Sequence, residues 1–212
     1  MRIKICGVTT PEDARTAALL GADAVGLNFH PSSPRFVTHE QAAAILDELP
    51  PFVEAVGVFV DRPFAAIVEE VRPLIRLRTV QWHGQEREPA SACSLPLIAA
   101  FGVRGPESLE VIARYLDRCR ASGRLPTAVL VDAHVPGQHG GTGRTAPWEL
   151  LASFRPGVPL ILAGGLTPDN VAEAVCAVRP YAVDVASGVE SAPGRKDAEK
   201  MRRFIEHARG AF

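Results

Sequence analysis

Continuous apolar runs of strand length alternate along this chain with segments whose apolar residues recur at helical spacing. The apolar runs predict strands at Arg2–Cys6, Asp23–Phe29, Val53–Val60, Val80–His83, Leu95–Ala100, Ala128–Asp132, Pro159–Ala163 and Tyr181–Val185. The helical spacing predicts helices at Pro11–Leu20, His39–Glu48, Pro63–Val71, Pro106–Arg120, Pro147–Phe154, Pro168–Val178 and Lys196–Arg209. The helical signal after the fourth strand is weak.

Alternating strands and helices predict a parallel sheet in the α/β class, and eight such units are the number in a (β/α)8 TIM barrel. A doubly wound open sheet is the structural alternative. If that sheet bound a dinucleotide, a G-x-G-x-x-G turn would follow an early strand, and the sequence has none there. No linker or change in composition divides residues 1–212, so we expect a single barrel domain.

Charge and cysteine usage narrow the class of protein. The 212 residues carry a formal net charge of −1 with both signs interspersed, which favours neither nucleic acid nor an anionic membrane as a partner. Cys6, Cys93, Cys119 and Cys176 form no C-x-x-C pair, which is typical of reduced cytosolic thiols. No signal-peptide stretch follows Met1, and no apolar run approaches the roughly 20 residues of a membrane helix. We expect a soluble cytoplasmic protein.

Two predicted strands end in residues that can transfer protons: Cys6 ends the first strand and Asp132 ends the sixth. Because side chains alternate between strand faces, Lys4 and Cys6 share one face, opposite Ile3 and Ile5. If the isoleucines pack under helices, the thiol points into the barrel mouth, where the ammonium is expected to lower its pKa from about 8.5. A base and an acid in one pocket are the hypothesis. A buried structural thiol and a loop-capping carboxyl are the alternatives.

Glycines cluster in the loops after the last three strands, at Gly140–Gly143, Gly164–Thr167 and Ser187–Glu190. Glycine lets backbone N–H groups approach an anion closely, and a following helix N-terminus adds a favourable dipole. In TIM barrels the loops after strands seven and eight commonly bind phosphate. The three loops together predict a phosphate site, although each alone is an ordinary way to leave a strand.

Other polar residues are predicted near the barrel mouth. Arg35 lies in a proline-restrained loop, where its guanidinium could clamp a carboxylate or phosphate or simply be solvated. His83 shares a strand face with Gln81 and is either a site residue or a hydrogen-bonded structural histidine. Asp184 is placed to bind substrate hydroxyls or loop backbone donors, and Glu190 to cap its own loop. No metal site is predicted.

At these residues the chain resembles the phosphoribosylanthranilate isomerase family of tryptophan biosynthesis, a group of ribulose-phosphate-binding barrels. The resemblance covers nearly the whole chain in order. It rests on the motifs Lys4–Thr9, Gly21–Gly26, Ser33–Val37, Val56–Val60, Val80–Gly84, Val131–Asp132, Gly140–Gly143, Leu162–Leu166, Asn170–Val171 and Val183–Glu190. Relatives that bind other sugar phosphates share the glycine loops, whereas the opening cysteine motif combined with the strand-four and strand-eight motifs is specific to this family.

The resemblance implies an Amadori rearrangement of N-(5-phosphoribosyl)anthranilate without cofactor or metal. The sequence leaves the oligomeric state open between a monomer and a homodimer. Asp132 matches the general acid and Cys6 the general base, with the acid pKa raised and the thiol pKa lowered toward neutrality. Arg35 matches the residue that holds the anthranilate carboxylate, Asp184 lies near the sugar hydroxyls, and His83 contacts substrate. Backbone groups expected to bind the phosphate belong to Gly141, Gly165, Ser187 and Gly188.

The chain departs from the family pattern at Trp82, where leucine is usual, and at Asn28, an inward position that is often apolar. The loop Ala133–His139 has no assigned role. Two rival functions remain. A different sugar-phosphate isomerase or epimerase would use paired aspartates or metal-binding histidines at its strand ends, and a non-catalytic phosphate-binding barrel would not need both Cys6 and Asp132.

Overall fold

The chain folds into a closed barrel of eight parallel strands in a computed structural model that describes residues 1–84, 88–132 and 148–211. The strands are Arg2–Cys6 (β1), Ala24–Asn28 (β2), Glu54–Val60 (β3), Leu77–His83 (β4), Leu97–Gly102 (β5), Ala128–Asp132 (β6), Leu160–Ala163 (β7) and Ala182–Val185 (β8). Strand β1 pairs with both β2 and β8, which closes the sheet. The barrel prediction is confirmed, and the open sheet is excluded.

Helices follow most of the strands in the described part of the chain. They are Pro11–Leu20 (α1), His39–Glu48 (α2), Phe64–Val71 (α3), Pro106–Ala121 (α4), Trp148–Ala152 (α5), Val171–Val178 (α6) and Ala198–Gly210 (α7). After β4 the described residues contain only a 3-10 turn at Ala90–Ala92, in keeping with the weak helical signal there.

Local capping explains where several helices begin. The Thr10 hydroxyl accepts a hydrogen bond from the Asp13 backbone N–H at the start of α1. Thr38 and Gln41 form a reciprocal capping box at the start of α2. The last helix begins later than predicted, because Lys196 belongs to a short hairpin of strands Glu190–Ala192 (β9) and Arg195–Lys196 (β10).

The alternation of side chains in β1 and β4 is as predicted. Ile3 and Ile5 belong to the cluster between barrel and helices, and full burial of each contributes roughly 1.5–3 kcal/mol. Lys4 is buried on the opposite face of β1. Trp82 also faces the helix layer, where it packs against Phe64 and its indole N–H donates to the Arg62 carbonyl oxygen over 2.8 Å.

Small and branched apolar side chains form a second cluster inside the barrel. The interior cluster consists of Val56, Ile98, Ala100, Ala128, Leu130, Ile161, Ala163 and Ala182. Within the described ranges, no helix is long and apolar enough to cross a membrane. The expectation of one domain over residues 1–212 stays a prediction.

Candidate active site

Strands β1 and β8 place a buried ion pair beside Cys6. Their register sets Lys4 opposite Asp184, and Lys4 Nζ donates a 2.8 Å hydrogen bond to Asp184 Oδ1. Gly26 of β2 lies against both functional groups of β1, because a Cβ added there would stand 2.7 Å from Cys6 Sγ and 3.0 Å from Lys4 Nζ. Thiol, ammonium and carboxylate therefore occupy one small volume inside the barrel.

This environment raises the pKa of the Cys6 thiol, chiefly through burial and then through the nearby Asp184 carboxylate. The Lys4 and Lys196 ammonium groups act in the opposite direction without reversing the shift. The predicted net lowering of the Cys6 pKa is therefore wrong. Lys4 does have the expected effect on the thiol, but the sequence pattern could not weigh it against burial and a carboxylate from β8.

We expect Asp184→Asn to lower the pKa of Cys6, because the nearby negative charge is removed while Lys4 remains. Lys4→Met is expected to shift the pKa upward. The pH dependence of Cys6 alkylation by iodoacetamide, followed on its peptide by mass spectrometry, measures this pKa. An Asp184→Asn midpoint that stays in place or rises would contradict the electrostatic account.

A cavity of about 360 Å³ opens at the carboxyl ends of the strands and brings the candidate proton-transfer groups together. Cys6 and Asp132 both line it. Asp132 stands in register between Gly102 of β5 and Ala163 of β7, at the last position of β6. The other predicted residues that line this cavity are Arg35, His83, Asp184, Gly165 and Ser187.

The loops after β7 and β8 meet backbone to backbone. Gly165 has φ +64°, a left-handed conformation that favours glycine. A Cβ on Gly188 would stand 1.9 Å from the carbonyl oxygen of Leu166, so only glycine permits this approach. Asn170 supports the first loop by donating to the Gly165 carbonyl over 2.9 Å. Gly188 is thus observed in a packing role, and its phosphate contact stays a prediction. Gly141 lies outside the described residues.

His83 is joined to a side chain that sequence reasoning placed but did not select. Its Nε2 lies 2.9 Å from the amide nitrogen of Gln81. Gln81 is buried in the cavity wall, and its Oε1 has no hydrogen-bond partner among the described residues. The face that it shares with His83 was the only signal in the sequence. Asn28 also lines the cavity, where its Oδ1 accepts from the His30 backbone N–H over 2.8 Å.

Arg35 is held in place by Glu190. Its Nε and Nη2 donate to Glu190 Oε1 and Oε2 over 2.7 and 2.6 Å. Lys196 Nζ also donates to Glu190 Oε1, over 2.9 Å. Glu190 does cap its loop through Gly194 N, as expected, but its main partners are two cations that the sequence analysis did not connect with it.

Residues 1–84, 88–132 and 148–211 contain no cluster of three or more histidine, cysteine or acidic side chains arranged to hold a metal ion. The loop Ala133–His139 lies outside the described residues.

The strand-end thiol and carboxyl and the glycine loops after β7 and β8 agree with a match to a known family across most of the chain. A family model described as N-(5'phosphoribosyl)anthranilate (PRA) isomerase matches residues 3–207. The chain belongs to the phosphoribosylanthranilate isomerase family. The resemblance inferred from the motifs is therefore confirmed.

Members of the phosphoribosylanthranilate isomerase family match the chain over its full length. The N-(5'-phosphoribosyl)anthranilate isomerase of Geobacter sulfurreducens is 51% identical over 211 residues, covering 99% of each chain. The phosphoribosyl anthranilate isomerase structure from Thermotoga maritima has a TM-score of 0.85 at 40% identity, with 99% of each chain covered. A family structure in complex with reduced 1-(o-carboxyphenylamino)-1-deoxyribulose 5-phosphate has a TM-score of 0.83 at 38% identity and the same coverage.

Proposed function

We propose that this chain catalyses the Amadori rearrangement of N-(5-phosphoribosyl)anthranilate to 1-(2-carboxyphenylamino)-1-deoxyribulose 5-phosphate in tryptophan biosynthesis. Membership of the isomerase family supports the reaction. The observation that carries the mechanism is that Cys6 and Asp132 line one cavity, together with the glycine loops after β7 and β8.

In the proposed mechanism, Asp132 is the general acid and Cys6 the general base. Asp132 donates a proton to the ring oxygen while the bond from that oxygen to C1′ breaks, which opens the furanose to a protonated Schiff base. The Cys6 thiolate then removes the C2′ proton, and the electron pair of that C–H bond forms the double bond of an enolamine. The enolamine then tautomerises to the ketone, as C1′ gains a proton and the C2′ hydroxyl releases one. Asp132 regains a proton and Cys6 loses one, so that both groups return to their starting states. Each proton transfer requires its group to be in the correct protonation state.

The raised pKa of Cys6 makes the thiolate a minority form at neutral pH in the free site. Burial would lower the pKa of Lys4, but Asp184 and Cys6 together outweigh burial and raise it. Lys4 therefore stays protonated, and its ammonium supplies the positive charge that stabilises the thiolate. If the thiolate is the base, kcat/KM increases with pH until Cys6 has ionised. The expected raised pKa of Asp132 stays a prediction.

The remaining substrate contacts are proposed from the family resemblance. Arg35 is proposed to bind the anthranilate carboxylate, and Asp184 and His83 to contact the sugar. Backbone groups of Gly141, Gly165, Ser187 and Gly188 are proposed to hold the phosphate. No cofactor takes part in these steps. Cytoplasmic location, the absence of a nucleic-acid partner and a monomeric or homodimeric state stay predictions.

The purified protein is expected to convert N-(5-phosphoribosyl)anthranilate to its ketose product. The change in absorbance of the arylamine measures this conversion. Ribose 5-phosphate, which lacks the arylamine, is the comparison substrate. Turnover of the arylamine substrate alone supports the proposal. Turnover of ribose 5-phosphate alone would favour the rival sugar-phosphate isomerase, and phosphate binding without turnover would favour a non-catalytic barrel.

A further inference from the structure

Glu190 occupies one edge of the Arg35 guanidinium and leaves another edge available. The two hydrogen bonds use Nε and Nη2, so the edge formed by Nη1 and Nη2 retains N–H donors outside this contact. The Arg35 side chain is 22% exposed and lines the cavity, whereas that of Glu190 is 5% exposed. A guanidinium can therefore bind Glu190 and a second carboxylate at once.

Lys196 changes the charge of this arrangement. Its side chain is fully buried, and Nζ donates to Glu190 Oε1 over 2.9 Å and to the Ala186 carbonyl oxygen over 3.2 Å. Burial alone would raise the pKa of Glu190, but hydrogen bonds from Arg35 and Lys196 hold it below its usual value. One carboxylate thus faces two cations. Burial lowers the pKa of Lys196, and the hydrogen bond and charge of Glu190 oppose this shift. With Lys196 protonated, the three side chains carry one net positive charge beside the cavity.

The β9–β10 hairpin holds Glu190 and Lys196 against the loop after β1, helix α1 and the loop after β2. The Thr9 hydroxyl donates to the Gly194 carbonyl oxygen over 2.5 Å, and the Lys196 backbone N–H donates to Asp13 Oδ2 over 3.1 Å. A Cβ on Gly194 would stand 3.0 Å from the carbonyl oxygen of Pro34, the residue before Arg35. The orientation of the guanidinium is therefore set before any ligand arrives.

We propose that Glu190 and Lys196 are positioning residues that direct Arg35 toward the carboxylate of the arylamine substrate. Glu190 fixes the plane of the guanidinium, and Lys196 offsets the charge of Glu190 so that Arg35 keeps its attraction for an anion. This inference rests on the proposed function, because it names the substrate group that Arg35 binds.

The test compares two stable ligands by calorimetry: the reduced product carrying the carboxylate, and the same molecule with a plain phenyl ring. Because the two ligands differ only in the carboxylate, the ratio of their dissociation constants measures the contribution of that group to binding. Lys196→Met is expected to weaken binding of the carboxylated ligand by about tenfold or more relative to binding of the phenyl ligand. A change of this size is expected for a charge-assisted contact. Any effect of Lys196 on Cys6 or on folding acts on both ligands and leaves the ratio unchanged.

Lys200→Met is the matched control. Lys200 Nζ donates to the backbone carbonyl of Glu190 over 2.7 Å and not to its carboxylate, so we expect the wild-type ratio. If Lys196→Met does not fold, Glu190→Asp replaces it, because the shorter side chain keeps the charge but loses the two-point contact with Arg35. An unchanged ratio in the folded variant would overturn the inference.

Failure of the proposed function gives a different pattern. A wild-type protein that prefers the carboxylated ligand but lacks turnover would contradict the reaction and leave the positioning role intact. A wild-type protein that binds both ligands equally, or neither, would overturn the positioning role whatever the turnover assay shows.

Discussion

Replacing Cys6 with alanine is expected to lower kcat by about 10²–10⁴-fold, the contribution of a positioned general base. The methyl side chain of alanine cannot accept the C2′ proton, because it lacks the thiol that is the proposed base. Phosphate binding should survive, because the proposed phosphate loops follow β7 and β8. Turnover of N-(5-phosphoribosyl)anthranilate and calorimetric binding of inorganic phosphate measure the two properties separately.

Cys176→Ala is the matched control for this variant. Cys176 is exposed on α6, and its Sγ lies 3.7 Å from the Ala211 carbonyl oxygen, in contact with the C-terminal end of α7. We expect its kcat to equal that of the wild type. A Cys6→Ala protein within threefold of wild-type kcat would exclude the thiol as the base.

Asp132→Asn is expected to produce a loss of similar size, about 10²–10⁴-fold in kcat, because an amide cannot protonate the ring oxygen as the furanose opens. The side chain keeps its shape, so KM and phosphate binding should change little. The effect on kcat with little change in KM distinguishes a lost acid from a damaged pocket. Steady-state kinetics with the arylamine substrate measures both constants.

Asp117→Asn provides the comparison for this second substitution. Asp117 is an exposed aspartate of α4 that pairs with Arg120 over 2.6 Å, and an exposed pair of this kind contributes little to stability. Its kinetics should match the wild type. A fully active Asp132→Asn protein would contradict the assignment of the acid while leaving the reaction itself in place.

The direction of several site side chains could be predicted from the sequence, because side-chain alternation in a strand depends only on neighbouring residues. Side-chain alternation in β1 placed Lys4 and Cys6 inside the barrel, and alternation in β4 placed Trp82 outside, as the structure shows. The eight strand patterns were strong because buried parallel strands are continuous apolar runs. Local periodicity was therefore sufficient to predict the barrel and the strand ends that face its mouth.

The β9–β10 hairpin was missed for a physical reason. Its strands have three and two residues, too few for an alternating pattern, and Lys196 also fits the start of the following helix. The role of Gly188 was incomplete for a related reason, because the carbonyl of Leu166 that excludes a side chain there comes from the neighbouring loop. Neither contact leaves a periodic signal in the sequence.

The electrostatics of the site depended on residues that are distant along the chain. The pairs Lys4–Asp184 and Arg35–Glu190 join positions 180 and 155 residues apart. From sequence, Cys6 had one charged neighbour, Lys4, and a lowered pKa was the natural inference. Barrel closure added burial and the charge of Asp184, which reversed the shift. Residue order was enough to identify the thiol and its direction, whereas its ionisation is a sum over charges and burial that exists only once β1 and β8 are side by side.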